Sequence, residues 1–253
     1  MEPDKRKTVV ITGSTKGIGR GIALRLARDQ HKVVLNYAQD DVQAQETLHL
    51  CQEVTSQVLL VKADVSKKAE VEHLMRQCVQ HFGTLDVLIN NAARIADKSV
   101  LEMSEQDWDQ VINTNMKGTF LCSQIAAFSM LQQEHGGLIL NIGASTGIRG
   151  RKNGINTCAS KAAIMVMTCC LALELGPKIR VNTIIPGVTR TEETEQRLHL
   201  NDPAILHARE ERIPLQRIGT PEDIADAVTL LLSDNASFIN GQKFVVDGGE
   251  FMW

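Results

Sequence analysis

Glycines at positions 13, 17 and 19, in Thr12-Gly13-Ser14-Thr15-Lys16-Gly17-Ile18-Gly19, stand between a run of β-branched residues and a segment of helical period. A turn without Cβ atoms brings backbone N–H groups close to an anion, and a helix N-terminus behind it adds the positive end of a dipole. The chemistry this suits is capture of a pyrophosphate, so Gly13, Ser14, Thr15, Lys16, Gly17, Ile18 and Gly19 are expected to hold a dinucleotide. An acid at the end of the second strand would accept a ribose 2′-hydroxyl and repel a 2′-phosphate. This chain has Asn36 there, followed by Tyr37, and so no acid at that position. NADP(H) is therefore the expected cofactor, with NAD(H) the alternative because Asp40 and Asp41 follow closely.

Positioning these groups requires strands and helices in alternation. Short apolar runs at Thr8 to Thr12, Lys32 to Asn36, Val58 to Lys62, Val87 to Asn90, Leu138 to Ile142, Arg180 to Ile185 and Lys243 to Val246 are separated by longer helical patterns. Their apolar residues are consecutive rather than alternating, which predicts a parallel sheet covered on both faces. The expected fold is thus α/β, a Rossmann-like doubly wound sheet of about seven strands in a single domain spanning 1–253. In the first helix Ile18, Ile22 and Leu26 form one stripe. Thr220-Pro221-Glu222-Asp223 predicts a capped helix start, with the helix running to about Leu232. The polar, weakly periodic stretch 189–215 follows a strand and is expected to form a substrate lid over the strand ends.

Composition narrows the function classes. At 253 residues, with 43% hydrophobic residues and a formal charge of -3, one well-buried domain is expected, and no electrostatic pull toward nucleic acid or an anionic membrane. No apolar run in the sequence reads as a membrane span, and the N-terminus does not resemble a signal peptide. Six cysteines show no paired metal-ligand spacing, so no metal site is expected, and reduced thiols point to a cytoplasmic protein.

Several further segments resemble the short-chain dehydrogenase/reductase family, and specifically its β-ketoacyl-carrier-protein reductase-like branch. These are the Gly-x-x-x-Gly-x-Gly turn, Asp64-Val65, Asn90-Asn91-Ala92-Ala93, Asn113-Thr114-Asn115-Met116, Ala159-Ser160-Lys161, Pro186-Gly187-Val188-Thr189-Arg190-Thr191 and Asp247-Gly248-Gly249. The resemblance implies an adenine contact from Asp64 and Val65, further cofactor contacts from Asn91, Ala92 and Ala93, and nicotinamide contacts from Pro186, Gly187, Val188, Thr189 and Thr191. Lys161 would bind the ribose and Asn115 would position a proton relay. It also implies a homotetramer that pairs the long helices after the fourth and fifth strands and uses Phe251-Met252-Trp253 in contacts.

Two positions depart from the family pattern. Thr157 stands four residues before Lys161, where the family has its proton-donating tyrosine, and Ala144 stands where it has serine. Tyr37, the single tyrosine, is needed at the adenosine end. An aliphatic hydroxyl does not titrate where a phenol can be tuned, so the expected activity is an NADP(H)-dependent hydride transfer with an altered proton route. Ser145 stands in for Ala144 only if the loop slips by one residue. His199, His207, Arg209, Glu210 and Glu211 in the lid are further sources of an acid. Arg94, Arg149, Arg151 and Lys152, if they face the cleft, would favour an anionic or carrier-bound small molecule. The alternatives are a non-redox enzyme that reuses the pocket and a non-catalytic NADP(H)-binding partner protein.

Overall fold

The computed structural model describes residues 6–252. Strands β1 (Thr8–Ile11), β2 (Lys32–Tyr37), β3 (Val58–Lys62), β4 (Val87–Asn90), β5 (Gly137–Ile142), β6 (Ile179–Pro186) and β7 (Lys243–Val246) form one parallel sheet in the order β3-β2-β1-β4-β5-β6-β7. Each expected strand appears with bounds shifted by at most a residue or two. The order reverses between β1 and β4, the crevice in which open α/β sheets bind ligands.

Helices α1 (Gly17–Arg28), α2 (Asp41–Gln52), α3 (Lys68–Phe82), α4 (Glu105–Val111), α5 (Gly118–Leu131), α6 (Thr146–Arg149), α7 (Ile155–Leu175), α8 (Glu192–Leu198), α9 (Pro203–Glu210) and α10 (Pro221–Leu232) complete the fold. One core layer packs Ile22, Leu26 and Val228 against Val9, Ile11 and Leu35. The other packs Leu74, Leu121 and Met130 against Val10, Leu88 and Ile139. Both sheet faces are therefore buried, as consecutive apolar strand residues require. At Thr220 the expected capping box is present, with the hydroxyl accepting from the Asp223 N–H and Pro221 in the first turn.

The lid is more ordered than its weak periodicity predicts. Helices α8 and α9 are short, each capped by its own side chain, Thr191 and Asp202. Leu200, Ile213 and Ile218 are buried beneath them with Val188, Leu198 and Leu206. Seven- and eight-residue helices are too short to show a repeating stripe, which is why the pattern did not reveal them.

The expectation of no membrane-length apolar segment needs correction for α7. Among the described residues it is long and apolar enough to cross a membrane by length and composition, with a third of its most apolar window buried in the fold. Its inner side holds the buried Thr157, Ser160, Lys161, Ile164 and Thr168.

Candidate active site

The glycine turn has the geometry that a pyrophosphate needs. Gly13 and Gly17 have φ of +60° and +52°, the left-handed region that side chains disfavour. Lys16 precedes α1 without capping it through its side chain, and no acid occupies the first turn, so the helix N–H groups are left for an anion. Asn91 braces the turn, donating its amide to the carbonyls of Thr12 and Gly13 at 3.0 and 2.8 Å. The N–H groups of Asn91 and Ala92 both donate to Thr12 Oγ1. Across the crevice, Thr191 lies against Gly17, at 3.3 Å from where a Cβ would stand. The residues expected at the pyrophosphate and those expected at the nicotinamide are thus brought to one cleft.

Not every cofactor expectation has the same standing in space. Asn36 is buried, and its amide is spent on the protein: Oδ1 accepts from the Gly13 N–H, and Nδ2 donates to Ala63 O at 2.9 Å. It supports the turn from beneath instead of facing a ribose. Tyr37 donates its hydroxyl to Asp41, which also pairs with Lys62, while Lys16 is exposed. Asp64 lines a cleft of about 490 Å³ with Ser66, Arg94, Asn113 and Thr114. Val65 is buried against Gly118. Gly187 passes so close to Asp247 that a Cβ would stand 2.5 Å from the aspartate's own. Thr189 is buried and bridges to Gly219, which fixes the Pro186–Thr191 segment at the base of the lid.

The chemical end is assembled by β4, β5 and α7. Lys161 is buried and donates to the carbonyl of Ile142 at 2.7 Å, and burial pushes its ammonium down to about 8. Asn115 sits where the chain widens into a π-helical turn, Ile112–Lys117. Its side chain accepts from the Arg94 N–H at 2.7 Å, donates to Arg94 O, and also donates to Ser160 Oγ at 3.0 Å. Ala144 is half-buried, whereas Ser145 is buried, so the hydroxyl one residue later does not take the more open position.

Sequence reasoning missed Asp97. Thr157, only 5% exposed, donates its hydroxyl to Asp97 Oδ1 at 3.0 Å, and Arg151 pairs with the other carboxylate oxygen. Asp97 lies in irregular chain after β4, seven residues beyond Asn90, and no periodicity or motif marks it. Arg151, which would favour an anionic substrate if it faced the cleft, pairs with this carboxylate. Arg149 stacks on the ring of Phe251 at 3.5 Å. Of the histidines in the expected lid segment, His199 is exposed at the end of α8, and His207 pairs with Glu211. Trp253 lies outside the described residues, and these contain no cluster of potential metal ligands.

A parallel sheet of this order with a glycine turn at its switch point defines a Rossmann-like doubly wound fold. The family model described as enoyl-(acyl carrier protein) reductase matches residues 13–250. A 3-oxoacyl-[acyl-carrier-protein] reductase of Staphylococcus epidermidis is 37% identical over 247 residues, covering 97% of this chain and 99% of that protein. Glucose 1-dehydrogenase 2 of Bacillus subtilis is 37% identical over 245 residues, covering 96% and 94%. A double mutant of a short-chain dehydrogenase/reductase from Serratia marcescens superposes with a TM-score of 0.86 at 30% identity, covering 96% and 97%. The chain belongs to the short-chain dehydrogenase/reductase family of oxidoreductases.

Proposed function

We propose that this protein is an NADP(H)-dependent oxidoreductase that moves hydride to or from a small or carrier-bound biosynthetic molecule without a tyrosine acid. The observation that carries the reading is the buried Lys161 beside Thr157, with the uncapped glycine turn ahead of them. Bound there, the cofactor would supply the hydride. Gly13 to Gly19 and the N-terminus of α1 would hold its phosphates, Lys161 its ribose, and Thr191 would close over the turn. Thr157 cannot do a phenol's work, because its hydroxyl ionises far outside the range of side-chain proton exchange and is shorter by a ring.

Two substitutions together test the altered proton route. Ala144→Ser with Thr157→Tyr should gain ketone reduction through the new phenol and lose any activity that runs by the native route, and unchanged activity would show that the pocket is not organised in this way. Each product formed should consume one NADPH. A product without NADPH consumption would favour a non-redox enzyme, and tight NADPH binding without any product a non-catalytic partner protein.

The preference for the 2′-phosphate is assigned to Lys16, the exposed cation of the turn. Lys16→Ala should weaken NADPH by roughly tenfold or more and leave NADH unchanged, because a hydrogen bond to a charged group is worth about 1.5–3 kcal/mol. Isothermal titration with both nucleotides measures this, and equal losses would remove the assignment.

A homo-oligomer, of the tetrameric kind common among such proteins, fits the apolar surface. Phe128 on α5 and Val166 and Leu173 on α7 are 68%, 64% and 85% exposed. The free cysteines fit a cytoplasmic setting.

A further inference from the structure

We propose that Asp97 is the proton-transferring group of this site, with Thr157 and Arg151 as the residues that position it. This deepens the oxidoreductase reading and rests on it. A phenol at position 157 would project a ring's length further than threonine does. Here the hydroxyl of Thr157 stops short, and the next group outward is a carboxylate 3.0 Å from it. Thr157 is nearly closed off, whereas the Asp97 side chain keeps 21% of its surface. Of the two, Asp97 is the more accessible.

The carboxylate is held on both sides by a fixed frame. Asn115 clamps Arg94 through its N–H and its carbonyl. Asn156, fully buried, donates to Ala96 O at 2.9 Å and accepts from the Thr157 N–H at 2.7 Å. The loop carrying Asp97 is thus tied to α7 on the residue before it and through its own side chain. Such fixing is what proton transfer to a bound substrate needs, since a misplacement of about 1 Å can cost on the order of 100-fold in rate. Arg151 spends one bond on Asp97, and its Nε is buried without a partner, so its guanidinium stays directed at this spot. The neighbouring Lys98 is taken by Asp107.

In reduction, the substrate carbon gains a C–H bond with the electron pair delivered as hydride from the reduced nicotinamide. The C=O π pair moves to oxygen, which takes a proton that the Asp97 carboxylate has first drawn from water, and Asp97 returns to the carboxylate held by Thr157 and Arg151. Oxidation of an alcohol runs the same steps backwards, with ionised Asp97 as the base.

The test uses the full chain with NADPH and a panel of probes, acetoacetyl-coenzyme A and cyclic ketones. Asp97→Asn should lower kcat by about 10²–10⁴-fold, and Asp97→Glu should recover part of it. NADPH affinity, read by nucleotide fluorescence, should not change. Thr157→Val should lower kcat less than Asp97→Asn does, and Thr157→Ser should behave like the parent. Apart from activity, melting temperatures of Thr157→Val, Asp97→Asn and the double variant should be non-additive, because both single changes remove one hydrogen bond. Additive drops in melting temperature, or an Asp97→Asn rate within threefold of the parent, would overturn the role of Asp97 and leave the oxidoreductase reading standing. No NADPH consumption by the parent with any probe would remove both.

Discussion

Lys161→Met should weaken NADPH binding by about 10- to 100-fold and, at neutral pH, make the free protein more stable. The first effect follows from losing an ammonium that would donate to the ribose, since hydrogen bonds involving a charged group contribute about 1.5–3 kcal/mol. The second follows from burial. In the folded chain the ammonium is pushed from 10.5 down to about 8, so the folded state holds this proton less tightly than the unfolded state does. Below about pH 8 both states are protonated, and the fold carries the whole cost of the buried charge, on the order of 3 kcal/mol. As pH rises from about 8 to 10.5 the folded state loses its proton first, and the cost is progressively relieved. Methionine removes the charge but leaves Ile142 O without its donor, which returns about 1 kcal/mol of the gain. Denaturant unfolding should therefore place the variant about 2 kcal/mol above the parent at pH 7, with the gap closing toward pH 10.5. A variant less stable at pH 7, or a gap that widens with pH, would show that the lysine is not desolvated as the structure places it.

A cost of this kind is what a binding site, as opposed to a core, retains. An isolated lysine facing only a backbone carbonyl weakens the fold at the pH of the cell, and only a bound anion or polyol would offset that. The buried polar chain behind it differs, because its members satisfy one another. Asn90 donates to Asn141, Asn141 donates to Thr168, and Thr168 meets Thr183 at 2.7 Å, all buried. That chain ties β4, β5, α7 and β6 together and sets the floor on which Lys161 and Thr157 stand.

The parts of the site legible in the sequence are those fixed by local backbone demands. Gly13, Gly17 and Gly19 announce a turn because side chains disfavour the φ of the first two and a Cβ has no room at the third. The strands show because burial on both faces demands consecutive apolar residues. Thr157 is singled out by its spacing to Lys161 and Ala144 by counting from Gly147. Asp97 was invisible for a different reason: its partners are 60 and 54 residues away, and the irregular loop that carries it has no period to read. Asn36 shows the opposite failure. Its position at the end of β2 was read correctly, but a side chain at a strand end can turn inward, and here the Gly13 N–H and Ala63 O drew it beneath the turn. In the basic loop at 149–152, opposite charge and an aromatic face claim Arg151 and Arg149.

Gly19→Ala should abolish useful nucleotide binding, and the reason lies in three atoms. A Cβ on residue 19 would stand 2.3 Å from Gly13 O, 2.5 Å from Asn91 Nδ2 and 2.9 Å from Ser14 Cα. None of these can retreat cheaply. Gly13 O is itself the acceptor of the Asn91 amide, and two of the three contacts are backbone. One methyl group must therefore pry the turn from the start of α1, at a cost of about 3 kcal/mol, the upper range for overpacking a filled space. That corresponds to a fall in melting temperature of about 6–12 °C for a chain of this size. The free variant relieves this strain by opening the turn and binding must close it again, so NADPH should bind on the order of 100-fold more weakly. Gly83→Ala is the matched control, since Gly83 has a φ of +83° but open space where its Cβ would go. It should lose only about 1 kcal/mol to backbone strain and keep its nucleotide affinity. If both variants bind NADPH as the parent does, the turn after β1 is not where the dinucleotide's phosphates lie.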